Sequence, residues 1–261
     1  HIQKCKAATT KPFGVNVPLL YPDLEKHIQI IIKEKVPIVF TSAGNPKTWT
    51  KHLKDNGITV VHVVSSSKFA RKAEEAHCDA VVAEGFEAGG HNGREETTTL
   101  VLIPSVVEAV SIPVIAAGGI ATGRQMLASM VLGASGVQVG SRFVASEEAS
   151  SHISFKEAVV NAAEGDTLLS LKNLTPVRLL KNHFFQQVQE AELRGASKEE
   201  LVELLGRARA KKGMYEGDLK EGELEIGQVS ALVTQILPAA TIVMNMWDEF
   251  CDALHNPIET T

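Results

Sequence analysis

Cysteine is scarce in this chain. Cys5, Cys78 and Cys251 are odd in number, far apart and outside Cys-x-x-Cys spacing. That pattern argues against a disulfide framework or a structural zinc site, and it suits a reducing cytoplasmic setting. No apolar run approaches the length of a membrane span, so no membrane partner is expected. The charges are scattered, 26 Lys and Arg against 31 Asp and Glu. Without a basic stripe there is no footprint for a nucleic acid. Histidines 1, 27, 52, 62, 77, 152, 183 and 255 share no spacing that a metal would need. There is no initiator methionine and no signal peptide. His1–Ala7 reads as the closing turns of a helix already under way, so the first residue is not expected to be the natural one.

What the chain does have is a repeated unit, a polar helix followed by a short apolar strand and a loop of small or polar residues. The predicted strands are 12–17, 37–40, 59–64, 80–83, 113–117 and 136–139. Pro12, Pro37 and Pro113 open three of them, a position where proline is tolerated. Between them the pattern predicts helices over 23–35, 49–56, 67–76, 103–110 and 123–132. Asp23 and Ser67 are expected as N-caps, Gly57 as a terminator, and Pro104 in a first helical turn. Strands that are apolar nearly throughout, alternating with helices, mean a covered parallel sheet. Six such units fit either an open sheet or a TIM-type (β/α)8 barrel lacking its first two strands. The clipped first helix favours the barrel. Its unpaired edge would be an association hazard, which leaves a homodimer open.

After Ser146 the pattern changes. Residues 147–209 are rich in Ala, Glu, Lys and Leu and read as helices only. Residues 213–227 read as a charged loop, and 228–247 as a final helix broken at Pro238. The expected division is a barrel portion over 1–146, a helical domain over 147–222, and a segment over 223–261 returning to the barrel.

Chemistry concentrates where strands end. The strand at 80–83 runs into Glu84-Gly85 and then Gly89-Gly90-His91. The carboxyl end of a parallel strand is where ligands bind, and the two glycines remove bulk where a flat ligand could approach. A plain Gly-rich turn with an exposed histidine is the alternative. Gly118-Gly119 and Gly140-Ser141 close the next two strands, and paired turns of this kind cradle a phosphate. Two tight βα turns are the plainer reading.

Three stretches resemble a known family. They are Glu84 to His91, Pro113 to Ile120, and Gln138 to Phe143. Together they are similar to the nitronate monooxygenase (2-nitropropane dioxygenase) family, whose relatives include FMN-dependent enoyl-acyl-carrier-protein reductases. The resemblance runs from about Lys11 to Ala239. It implies an FMN-binding β/α barrel with a helical substrate-side domain. The Gln-Gly-Gly-Met-like turn that the family carries on its first strand is not found. By resemblance, Asn16 hydrogen-bonds the flavin, Glu84 lies near the ribityl chain and Gly89 lies against the cofactor. Gly118, Gly119, Gly140 and Ser141 hold the phosphate, with Gln138 and Val139 lining its approach. Asn45, in the loop 41–46, and Gln228 fall on the substrate side. A plain turn for the loop and an exposed cap for Gln228 are the alternatives.

His91 is the expected catalytic residue, because an imidazole gives and takes protons near neutral pH. The resemblance implies an oxidoreductase acting on a small molecule. The leading expectation is oxidation of alkyl nitronates with O2. The second is reduction of an enoyl thioester with NAD(P)H as co-substrate. A third is a non-catalytic or truncated barrel that binds another phosphorylated ligand.

Overall fold

The computed structural model describes residues 1–256. A first helix, α1 (Ile2–Ala8), precedes a run of alternating elements: β1 (Gly14–Pro18), α2 (Leu24–Lys33), β2 (Ile38–Ser42), α3 (Thr50–Asp55), β3 (Thr59–Val64), α4 (Ser67–Glu75) and β4 (Ala80–Glu84). The chain continues through β5 (Gly90–His91), α5 (Thr99–Val107), β6 (Val114–Ala117), α6 (Gly123–Val131), β7 (Gly136–Gln138) and α7 (Ser141–Val144). The remainder is α8 (Ile153–Val160), β8 (Thr167–Ser170), β9 (Val177–Leu180), α9 (His183–Leu193), α10 (Lys198–Leu205) and α11 (Ala239–His255).

Six strands form one parallel sheet in the order β1-β2-β3-β4-β6-β7. Among the described residues β1 pairs only with β2, and β7 only with β6. Yet Asn16 on β1 and Gln138 on β7 line the same cavity. The sheet is therefore curled into most of a barrel, with β1 and β7 as its edges. Six strands is the number the alternating pattern predicts, and their boundaries differ from the expected ones by three residues at most.

Valine-rich strands are buried on both faces, as a covered parallel sheet requires. On the outer face Val39, Val60, Val81 and Ala116 pack with Ile28, Leu53, Ala73 and Ile103 from the helices. On the inner face Val61, Val82 and Ala117 form a smaller cluster with Phe40 and Val63. The two periodicities explain this. Alternate strand residues point to opposite faces, while α2 turns Ile28 and Ile31 inward once per helical turn.

Several local expectations are corrected. Asp23 occupies the N-cap of α2 in a left-handed conformation, and its carboxylate accepts from Lys26 Nζ at 2.8 Å instead of capping. Ser66, not Ser67, caps α4 by accepting from Phe69 N–H. Pro104 lies inside α5 rather than in its first turn. The last helix does not start at Gln228. Residues 228–232 form a short 3-10 turn, and α11 begins after Pro238, because proline is accommodated at a helix start and not within one.

The largest correction concerns 147–222, which is not helical only. It contains the antiparallel pair β8–β9, and β9 also pairs with β5. These strands are four residues long and leucine-rich, and leucine does not separate strand from helix. The usable signal was Pro176, directly before β9, as Pro37 precedes β2 and Pro113 precedes β6. This segment has its own core, with Leu179, Phe184, Val188 and Leu201. A third cluster joins Phe155 and Val159 to Ala121, Ala145, Leu224 and Ile226. The stretch 223–256 returns to the barrel, and residues 257–261 of the expected third segment lie outside the described residues.

Helix α11 lies directly on α6. A Cβ placed on Gly123 would come within 2.2 Å of the Met246 carbonyl oxygen, and Gly123 N–H donates to Glu249 Oε2 at 2.8 Å. Gly123→Ala is expected to force the helices apart and cost about 1–3 kcal/mol. Thermal unfolding should then come some 3–10 °C lower. An unchanged melting temperature would contradict this packing.

Candidate active site

A cleft of about 1340 Å³ opens at the carboxyl ends of the sheet strands. Side chains that end strands on the inner face reach it, because alternation places Asn16, Glu84 and Gln138 opposite the outward-facing Val17, Ala83 and Val137. The loop after β2 contributes Asn45, and the turn after β7 contributes Val139 and Gly140. His91 lines the same cleft from outside the barrel, since its backbone belongs to the small sheet and pairs with Val177 of β9. Of the residues singled out in the sequence, Asn16, Asn45, Glu84, His91, Gln138, Val139 and Gly140 therefore share one cavity.

The others do not line it. Gly89 packs against the backbone of Ile226 and Gly227, where an added Cβ would meet Ile226 C at 2.4 Å. Gly118 has φ +89°, and its added Cβ would meet Gly85 O at 2.8 Å. Gly119 faces Glu87. Ser141 Oγ accepts from Gly227 N–H at 3.0 Å. Gln228 N–H donates to the Glu87 carbonyl at 2.9 Å while its side chain is exposed. These glycines serve close approach, as their type suggests, but in this structure the approaching groups are the protein's own, backbone at Gly89 and Gly118 and the Glu87 side chain at Gly119.

The result is a firmly held turn under the cleft. Glu87 Oε2 accepts from Thr99 N–H at 2.9 Å, which puts a carboxylate at the positive end of α5. Arg178 Nη2 donates to the Phe86 carbonyl at 2.7 Å, and its guanidinium lies over the Phe86 ring at 4.4 Å. Asn92 Nδ2 donates to the Ala88 carbonyl at 2.8 Å. Gly140, by contrast, is open, and a Cβ there meets nothing within 4 Å. Gly118 and Gly140 follow neighbouring strands, with Ala117 in register with Gln138, yet only Gly140 borders the cleft.

Two groups on the cavity wall are strongly perturbed: burial pushes the His62 imidazole down to about 4, and the other is Glu84. Burial pushes its carboxyl up to about 7, because a low-dielectric wall disfavours the charged form. Among the described residues its side chain has no hydrogen-bond or ion-pair partner. The cleft thus offers the side-chain amides of Asn16, Asn45, Asn92 and Gln138, the raised carboxyl of Glu84, the imidazoles of His62 and His91 and an open glycine backbone. It can hold a polar ligand with an anionic end and exchange protons near neutral pH. Among the described residues no group of His, Cys, Asp and Glu is arranged to bind a metal. No described helix is long and apolar enough to cross a membrane.

Two residues near the site were not anticipated. Arg178 is buried, and its only sequence signal was a charge within an apolar run. Glu225 borders Gly90 from the stretch read as a charged loop.

A sign follows for stability. Between the ordinary carboxylate range and about 7 the folded protein binds more protons at Glu84 than the unfolded chain, so stability falls as pH rises through that window. Glu84→Gln removes this loss. At pH 8 it should be more stable than the parent by on the order of 3 kcal/mol, read as a higher melting temperature, and the gap should close near pH 5. Equal melting temperatures at both pH values would contradict the assigned burial.

The family profile described as nitronate monooxygenase matches residues 21–249. A probable nitronate monooxygenase of Staphylococcus aureus (strain MSSA476) is 38% identical over 176 residues, covering 64% of this chain and 50% of the relative. The chain thus spans about half the length of the curated relatives it matches. FabK from Thermotoga maritima superposes with a TM-score of 0.93 at 41% identity, covering 98% of this chain and 81% of the other. Nitroalkane oxidase from Streptomyces ansochromogenes gives 0.82 at 26% identity, covering 98% and 85%. With that profile spanning most of the sequence and the strand-end residues gathered on one cleft, the chain belongs to the nitronate monooxygenase family.

Proposed function

We propose that this chain carries the ligand-binding part of an FMN-dependent oxidoreductase that oxidises alkyl nitronates with O2. The observation that carries the proposal is the single cleft bringing Asn16, Glu84, His91, Gln138 and Gly140 together at the strand ends. Features of the cleft itself suit FMN. Gly140 leaves room for close backbone approach, the amides of Asn16 and Gln138 offer donors and acceptors, and the Glu84 side chain has no hydrogen-bond or ion-pair partner among the described residues. Gln138, Val139 and Gly140 would face the phosphate end, and Asn16 and Glu84 the more polar parts of the ring system and ribityl chain. When bound, FMN supplies the electron and oxygen chemistry.

The chain's own residues bind, orient and move protons. An alkyl nitronate carries negative charge on its nitro oxygens, and protonated His91 provides a matching positive donor at the cleft wall. The same imidazole accepts a proton at its free nitrogen when the substrate arrives as the neutral acid. Glu84, with its carboxyl near 7, donates a hydrogen bond in the protonated form and accepts one when ionised. The loop carrying Asn45 forms part of the cleft wall.

A second reading, NAD(P)H-dependent reduction of an enoyl thioester, is favoured by Glu84 and the 43–46 loop, which line this cleft together. The protein is expected to take up FMN and show a flavin absorption spectrum. Stopped-flow mixing then separates the readings. Flavin bleaching by anaerobic nitronate but not by NAD(P)H is expected, and rapid bleaching by NAD(P)H transfers the assignment to the reductase. Protein that stays colourless with added FMN rejects both. His91→Gln should lower nitronate turnover about 100-fold or more while the flavin spectrum is retained. Turnover equal to the parent's removes His91 from the chemistry.

A further inference from the structure

We infer that Glu225 is the positioning carboxylate of His91, an acidic group set against the backbone of the strand that presents the imidazole. The inference rests on the role proposed for His91 and adds a residue to it.

The placement has three parts. Leu179 of β9 forms an isolated antiparallel bridge with Glu225, and Leu180 N–H donates to the Leu224 carbonyl at 2.8 Å. The segment at 224–225 therefore runs along the edge of the small sheet, with Leu224 and Ile226 buried in the core. Gly90 pairs with Arg178 one residue earlier on β9. Finally, a Cβ built on Gly90 would lie 2.5 Å from Glu225 Oε2. The carboxylate thus occupies the space a side chain would take at residue 90, next to His91. Gly90 has φ +76°, a conformation that disfavours other residues, so position 90 is suited to glycine both by its backbone and by this contact.

Charge follows from the placement. Burial pushes the Glu225 carboxyl up, and His91 opposes that rise, the mark of an interacting pair. Other charged groups nearby are engaged elsewhere. Arg178 on β9 turns to the Phe86 carbonyl. Arg209 stacks on Phe184 and donates to the carbonyls of Leu204, Leu205 and Glu221. Glu223, buried two residues before Glu225, is itself raised to about 7, first by burial and then by Glu225, so it adds little negative charge below neutrality. Glu84 lines the same cleft as His91. Among the described residues Glu225 has no hydrogen-bond or ion-pair partner.

The test follows the His91 ring directly. Histidine side chains are labelled with 13C, the His91 signal is assigned with His91→Gln, and its titration is recorded in the parent and in Glu225→Gln. The amide has the same shape without the charge, so the fold is expected to persist. The His91 midpoint should fall by about half a pH unit or more, and Glu225→Asp should restore most of it. The acid limb of kcat/KM should move in the same direction with KM little changed. A His91 midpoint unaltered in a folded Glu225→Gln overturns the inference. Should Glu225→Gln not fold, Gly90→Ala, which displaces the carboxylate, must produce the same fall, and an unmoved midpoint there overturns it equally. Because the ring titration needs no turnover, absent activity in the parent would reject the proposed function and leave this reading separately decided.

Discussion

Backbone packed directly on backbone, where the Glu87–Gly89 turn meets Ile226–Gly227, is the constraint on which the cleft depends. Side chains cannot be interposed there, and hydrogen bonds from Gln228 N–H to the Glu87 carbonyl and from Gly227 N–H to Ser141 Oγ close the contact. One local turn is thereby tied to the end of the last barrel strand and to a segment more than a hundred residues later. His91 follows that turn by only two residues, so the position of the imidazole is inherited from this contact.

The electrostatics follow from the same enclosure. Glu84 faces the cleft, while Glu223 and Glu225 sit under the small sheet, and burial raises all three carboxyls. Each is costly as an isolated charge in a low-dielectric setting. Arg178, also buried, is accommodated differently, by carbonyl acceptors and an aromatic face. Carboxyls raised by burial, Glu84 on the cleft and Glu225 against Gly90, thus lie close to His91, which lines the cleft together with His62, a concentration of perturbed groups of the kind found at functional sites. The barrel supplies the open wall, and the inserted small sheet brings proton-carrying groups to its rim.

Much of the barrel was legible because its signal is local. Runs such as Val60–Val64 and Ala80–Ala83 are too short and too apolar for anything but buried strands, and Thr122 with Gln125 announces α6 through a capping box. The small sheet was not legible because its strands are short and acquire their identity from pairing. Val177–Leu180 becomes a strand by hydrogen bonding to β8 and to Gly90–His91. The alternation of Glu221, Glu223 and Glu225 with buried Leu224 and Ile226 reads as a charged loop until the partner edge is present. Gly89, Gly118 and Gly119 show the same ambiguity from the other side. Glycine signals a close approach, but nothing local says whether a ligand or the chain itself approaches.

By itself, the order of residues determined the alternating units, the parallel sheet, the strand ends whose residues line the cleft, and the membership suggested by three short motifs. Those properties depend on neighbours within a few positions, where steric preference and hydrophobic period act directly. Only the tertiary structure decided that Gly140 opens to the cleft while Gly118 does not, and that the Glu225 carboxylate lies against Gly90. Contacts between segments far apart along the chain arise from global packing, and no local pattern encodes which surfaces that packing will bring face to face.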